Sequence, residues 1–216
     1  MNKHFLFYDI YERHKKVGSM IKNGETVLDV GGELNHLTQF SNPKKIVVAN
    51  LDTGDVIIKK GKLPFNKNSF DTVCSIDVLE HIPKKDRKKF IDDLVSLASK
   101  KIILSFPIGT ENHTTYEKKA QIFLKEKGLS VKYLEEHIRY GLPTQVEIIG
   151  LLKGLNFKIY YSGNIKINWI LFNIFIFDPK IKFIRKVIYL LKMLLNFVLN
   201  PFLYILLGSK QFGPSV

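Results

Sequence analysis

Short β-type runs alternate along this chain with segments of helical periodicity, and that alternation constrains its fold more than any other feature. Thr26–Val30, Lys45–Leu51, Asp55–Ile58, Asp71–Ile76 and Lys101–Phe106 read as strands, rich in Val and Ile and bounded by Gly, Asn or Pro. Residues 5–22 read as a helix stopped at Asn23-Gly24, and Lys84–Ala98 carries Phe90, Leu94 and Leu97 at helical spacing. Tyr116, Ala120, Phe123 and Leu124 fit one helical face, as do Val146, Ile149 and Leu152. Phe157–Tyr161 and Ile165–Phe177 read as a closing pair of strands. The pattern predicts an α/β layer fold with a mostly parallel central sheet. One connection is too short for it. Only Asp52–Gly54 separates the second run from the third, whereas parallel neighbours normally need a dozen or more residues between them. The third run is therefore either an extended excursion or a sign that the sheet has lost an element.

At 216 residues the chain suffices for one domain with a sizeable core plus an appendage, expected here as a domain over 1–178 and a tail over 179–216. A single cysteine, Cys74, excludes a disulfide framework and a cysteine zinc cluster, and its place in an apolar strand reads as inert core. Met1 leads into Phe5–Tyr8, but Asp9, Glu12 and Arg13 break the run, so no cleavable signal is expected and the domain reads as cytoplasmic. The formal charge of +13 favours polyanions, nucleic acid or an anionic membrane surface, although lysine also accumulates through genomic composition.

After Asp178-Pro179 the character changes. Val187–Leu207 is a 21-residue apolar stretch with one charge, Lys192, interrupted by Asn196, Asn200 and Pro201. Its length could just cross a bilayer. The interruptions argue for an interfacial or re-entrant helix instead, with basic residues 180–186 at lipid headgroups, so membrane contact is expected through residues 180–207, peripheral or monotopic. A single span and packing on a protein surface are the alternatives.

In open α/β sheets ligands bind beyond the carboxyl ends of the strands. The first strand ends Asp29-Val30-Gly31-Gly32, where glycine lets the backbone turn tightly and approach a ligand. The second ends near Asp52, whose carboxylate could accept both hydrogen bonds of a ribose diol. The fourth runs into Asp77-Val78-Leu79-Glu80-His81-Ile82-Pro83, preceded by Leu63-Pro64-Phe65 and Ser69-Phe70-Asp71. In these segments the chain resembles the class I S-adenosylmethionine-dependent methyltransferases, over about residues 20–177. The resemblance implies a Rossmann-like fold with an antiparallel closing strand and S-adenosylmethionine as cofactor. It implies that Asp29, Gly31 and Gly32 hold the methionine portion and Asp52 the ribose, with Asp77 and Leu79 lining the cofactor and Glu80 facing the acceptor. Glu33 and Asn35 stand where the family's second and third glycines are usual, and Lys59 where an acid near the adenine is usual. The second half, through Glu136-His137 and Tyr140-Gly141-Leu142-Pro143, is similar to methyltransferases of surface-glycan clusters, which places His137 and Tyr140 on the substrate side.

A hydroxyl acceptor benefits from a base, for which His is the usual choice near neutral pH. His81 follows Glu80 directly after the fourth strand, where it is either a base or a loop anchor. His113 and Glu117 lie beyond the fifth strand at i, i+4, on one helical face, and form the preferred acceptor-site pair. No His/Asp spacing calls for a metal. The leading expectation is methyl transfer to a hydroxyl of a small-molecule or lipid-linked glycan acceptor. An RNA methyltransferase and a non-catalytic membrane-associated scaffold on the same fold are the alternatives; the first is disfavoured because most aromatics lie in apolar strands or the tail.

Overall fold

The computed structural model describes residues 2–59, 61–176 and 181–207. It divides into two compact units, residues 17–157 and residues 1–16 with 158–216.

The larger unit is built on five strands: β1 (Thr26–Val30), β2 (Lys45–Asn50), β3 (Val56–Ile57), β4 (Phe70–Ile76) and β5 (Ala98–Ser105). They form one sheet in the order β3-β2-β1-β4-β5, every pair parallel. A parallel sheet is covered on both faces, which is why its inner strands read as nearly continuous apolar runs. Along β1 the period of two sends Val27 into one cluster with Cys74, Ile76 and Leu37. Leu28 and Val30 go to the other, with Val73, Leu94 and Leu97. The chain winds outward from β1 through β2 to β3, then restarts at β4 and winds the other way to β5. The carboxyl ends of β1 and β4 therefore flank the point where the winding reverses.

The short second connection resolves as an extended excursion. Asp55 donates its N–H to the Val48 carbonyl (2.8 Å) and its Oδ2 accepts the Val48 N–H (2.8 Å), so one residue occupies both backbone groups of the edge. Gly54 makes this possible: its φ is +105°, and a Cβ there would sit 2.8 Å from the Val48 oxygen. The resulting β3 has two residues.

Four helices complete this unit: α2 (Lys84–Leu97), α3 (Glu111–Glu126), α4 (Lys132–Tyr140) and α5 (Gln145–Leu151), while α1 (Tyr8–Met20) runs into it from the amino terminus. Thr110 and Thr144 cap α3 and α5 through their hydroxyls, which accept the N–H of His113 and Glu147. In α5 the buried face is not the one read from the sequence. Val146 and Ile149 are exposed, and Ile148 with Leu152 packs against Leu79 and Ile91.

No antiparallel closing strand is present among the described residues, and the expected pair of strands after Phe157 is a correction. Residues 157–161 have no regular structure, and Ile165–Ile176 is a helix, α6. An unbroken apolar run has no period to tell strand from helix, but its start carried a signal. The Asn164 side chain accepts the N–H groups of Lys166 (3.0 Å) and Ile167 (3.2 Å), an N-cap that sets the backbone turning. Phe177, the last residue of that expected strand, lies outside the described residues, as do Asp178, Lys180 and Lys210 of the tail.

In the smaller unit α7 (Lys182–Leu207) is long and apolar enough, by length and composition, to cross a membrane. Its polar interruptions are structural. Asn196 and Asn200 are buried and donate to the carbonyls of Phe5 (3.3 Å) and Leu6 (2.8 Å), while Phe5 meets Phe197 and Tyr11 meets Tyr204 edge-on. Away from that face, Phe183, Leu190, Leu194, Val198, Phe202 and Ile205 are exposed.

Candidate active site

The turn after β1 is shaped by what surrounds it. Gly31 has φ +82°, and a Cβ there would lie 2.2 Å from a methyl of Val78. A Cβ on Gly32 would lie 2.0 Å from Oδ2 of Asp29, so neither position admits a side chain without displacement. Asn35, which replaces an expected glycine, itself adopts φ +66°; asparagine is among the few residues that tolerate this region. The loop thus keeps its left-handed residue without the glycine. Asn50, at the end of β2, ties the turn down by donating to the carbonyls of Gly31 (3.3 Å) and Gly32 (2.9 Å). Asp52 follows it and is exposed.

Asp29 is fully buried at this turn. Its Oδ1 faces the Cys74 thiol at 3.8 Å, and its Oδ2 has no hydrogen-bond partner. Burial pushes the carboxyl up to about 7, opposed only in part by the thiol. The Cys74 thiol is itself pushed well up, by burial and then by Asp29, which agrees with its reading as inert core. A desolvated carboxyl with one idle oxygen, beside backbone that no side chain obstructs, has the chemistry to accept a cationic or N–H-bearing group.

Val78 brings the second segment against this turn. Asp77, at the end of β4, has φ +56°, an uncommon conformation for a residue with a side chain and one that concentrates at functional sites. Leu79–His81 is a 3-10 turn in which Leu79, expected to line the cofactor, is buried against Ile91, Ile148 and Leu152.

The histidines and carboxylates singled out in the sequence converge beyond it. His81 pairs through Nδ1 with Glu136 Oε2 (2.8 Å), and His137 through Nδ1 with Glu117 Oε1 (2.7 Å). The two imidazole rings lie 4.8 Å apart between centroids. His137 Nε2 is 4.0 Å from Glu80 Oε1, and His113 Nε2 is 3.6 Å from Glu117 Oε1. A carboxylate only accepts, so each Nδ1 donates and Nε2 is the ring nitrogen left for another partner. Burial, and next the neighbouring His137, lowers the pKa of His81 and favours its neutral form. The His113–Glu117 pair of the sequence reading forms, but Glu117 is engaged more closely by His137. Tyr140 ends α4, with its ring 5.5 Å from the Arg139 guanidinium.

Three residues that the sequence reading gave no role position these groups: Asn50, Glu136 and Arg87. Arg87 is fully buried on α2. It donates to the carbonyls of Leu79 (3.2 Å), Ile82 (3.0 Å) and Gly141 and pairs with Glu147 (2.7 Å), so one guanidinium joins the turn after β4 to the segment after α4. A signal for it exists. Within the basic run Lys84–Lys89, only Arg87 lies in register with the buried Ile91 and Leu94 at i+4 and i+7; Lys88 and Lys89 make exposed i, i+4 pairs with Asp92 and Asp93.

Residues 26–101 match the family model described as a methyltransferase domain. No curated protein matches the chain. Among solved structures it is similar to a methyltransferase-assigned protein of Bacillus halodurans, at 18% identity over 72% of each chain with a TM-score of 0.47. It is also similar to magnesium protoporphyrin IX methyltransferase of Synechocystis, solved with S-adenosylhomocysteine, at 22% identity over 72% of this chain and 78% of that one, TM-score 0.47. A phosphoethanolamine N-methyltransferase of Haemonchus contortus, at 17% identity, covers 90% of this chain and 48% of its own, TM-score 0.47. Likenesses of this size carry no argument about activity or substrate; the matched segment contains β1 to β4, the start of β5, the glycine turn and the Asp77–Pro83 motif. Over residues 26–101 the chain is thus similar to a methyltransferase domain.

Proposed function

We propose that the protein transfers the methyl group of S-adenosylmethionine to a hydroxyl of a membrane-associated glycan or lipid-linked intermediate. The observation that carries this reading is the pair of carboxylate-held imidazoles next to the turn at the carboxyl ends of β1 and β4. When bound, S-adenosylmethionine supplies an electrophilic methyl on a sulfonium. The residues present fit it: the idle, buried Oδ2 of Asp29 suits a cationic amino acid end, Gly31 and Gly32 admit close backbone approach, and exposed Asp52 suits a ribose diol. Attack by a hydroxyl requires its proton to leave, and a neutral imidazole with a free Nε2 accepts it, while the carboxylate at Nδ1 holds the ring and stabilises the imidazolium. His81 and His137 are the candidate bases, with His113 and Glu117 beside them.

The membrane part of the reading rests on α7, which exposes large apolar side chains and carries Lys182, Arg185, Lys186 and Lys192 with no acid. Apolar insertion beside basic residues is the composition of an interfacial helix on an anionic surface.

The test uses the full chain with radiolabelled S-adenosylmethionine and a lipid extract. Label should enter an organic-soluble product, and His137→Ala should reduce the rate by a factor of about 100 or more. Label confined to water-soluble or RNA products would overturn the acceptor assignment. Flotation with anionic liposomes that survives high salt supports the α7 reading, and a protein left at the bottom of the gradient overturns it.

A further inference from the structure

We infer that Glu80, His81 and His137 form a binding site for a divalent transition-metal ion of the zinc class. Each offers one donor atom, and these atoms lie within 4.8 Å of one another. Two imidazoles and a carboxylate are the set that holds zinc in sites with one position left open.

Three further observations point to an ion. Both imidazoles give Nδ1 to a second carboxylate, Glu136 for His81 and Glu117 for His137, which is how metal-bound histidines are oriented and made more basic at the other nitrogen. His137 is more than nine-tenths buried, yet its Nε2 has no hydrogen-bond partner. A buried lone pair without a donor costs free energy, and a metal ion removes that cost. The charge balance also fits: Glu80, Glu117 and Glu136 surround two histidines, and the cation bonded to one of them, Lys132 at 3.8 Å from Glu136, is exposed. A dication relieves the excess negative charge.

The donors lie within 4.8 Å of one another, His137 Nε2 and Glu80 Oε1 being 4.0 Å apart, against about 3.3 Å around a tetrahedral ion with bonds near 2.0 Å. Binding must draw them together by about 1 Å. The His81 side chain, about a quarter exposed, is the one with room to move. Nitrogen donors select zinc, cobalt or nickel over magnesium and calcium. The site lies where the sequence offers no spacing pattern, because His137 is 56 positions beyond His81. If the site also takes the acceptor, which rests on the function proposed above, the bound ion would replace the imidazoles as the group that acts on the hydroxyl, since their Nε2 lone pairs would be held by it: the fourth position would receive the hydroxyl oxygen and acidify it.

The experiment is metal binding by the full-length protein, independent of methyl transfer. Chelator-stripped protein is titrated with Zn2+ against a chromophoric competitor and with Co2+ followed by its visible bands. The expected result is one equivalent of Zn2+ with a dissociation constant below about 1 µM and the intense bands of four-coordinate cobalt. His137→Gln and Glu80→Gln should weaken binding by about 100-fold, and Glu117→Gln, one bond removed, by about 10-fold. His36→Ala should change nothing, and unaltered far-UV circular dichroism marks each variant as folded. Weak or substoichiometric binding by the wild type, or affinity unchanged in folded His137→Gln, overturns the site. Stoichiometric metal without methyl transfer would leave the site standing and overturn the function instead.

Discussion

Two acids on neighbouring strands sit at opposite ends of the same sheet under opposite conditions. At the amino end Asp71 accepts the Thr26 N–H (2.8 Å) and hydroxyl (2.9 Å) and pairs with Lys100 (3.0 Å), and these donors, the Thr26 N–H foremost, hold its carboxyl down to about 2. Nearby Glu25 accepts from Thr72, Lys22 and Lys101. At the carboxyl end Asp29 is buried with one oxygen idle, and burial holds it up to about 7. At the amino end both acids are satisfied and so contribute to folding. The carboxyl end leaves a charge unsatisfied, a cost that makes sense where a ligand is to be received.

The largest break in this contrast comes from Arg87, a buried cation saturated at the carboxyl end. Arg87→Ala strands Glu147 and three carbonyls and should lower unfolding stability by about 3–5 kcal/mol in urea denaturation. Arg87→Lys should rescue little, since a single ammonium cannot serve the same fork of partners.

Asp29 comes next. Its folded pKa lies above its unfolded value, so its contribution is fully present below about pH 4 and is lost as pH rises through about 7. The loss amounts to at most about 4 kcal/mol. Asp29→Asn should flatten that part of the stability profile, with thermal melts from pH 4 to 8 as the measurement. The same variant should remove any rise in S-adenosylmethionine affinity above pH 7. A wild-type profile that climbs steadily from pH 4 to 8 would contradict the idle carboxyl.

Gly32→Ala sharpens the comparison from the ligand side. A Cβ 2.0 Å from Asp29 Oδ2 must displace it, so calorimetric affinity for S-adenosylmethionine should fall tenfold or more, about 1.4 kcal/mol, while His137→Ala leaves it within about twofold. Asp71→Asn should give the smallest effect. Its folded pKa is depressed, so its contribution exists above about pH 4 and fades as pH falls towards 2; the variant should differ from wild type at pH 7 and converge with it in acid.

Much of the cofactor end was legible because its residues are contiguous. A strand, its terminal acid and its glycines follow one another in Thr26–Gly32, and local backbone rules act over that distance. The acceptor side was legible only as parts. His81, His113, Glu117 and His137 were each visible as chemistry, but the bonds His81–Glu136 and His137–Glu117 were not, because each joins residues from separate segments of the chain. The Ile165–Ile176 helix was misread because an unbroken apolar run carries no period, and the Asn164 cap that decided it is a local hydrogen bond.

Taken by itself, the order of residues determined the mostly parallel sheet and the place of the glycine turn, because burial periodicity and turn chemistry are short-range; the reversal of winding between β1 and β4 came from the strand order. Tertiary structure alone decided which imidazole meets which carboxylate, that Arg87 binds two distant loops together, and that Asp29 is left with an idle oxygen. Those outcomes depend on side chains brought within 3 Å across 20 to 60 residues, and on the water that their burial excludes.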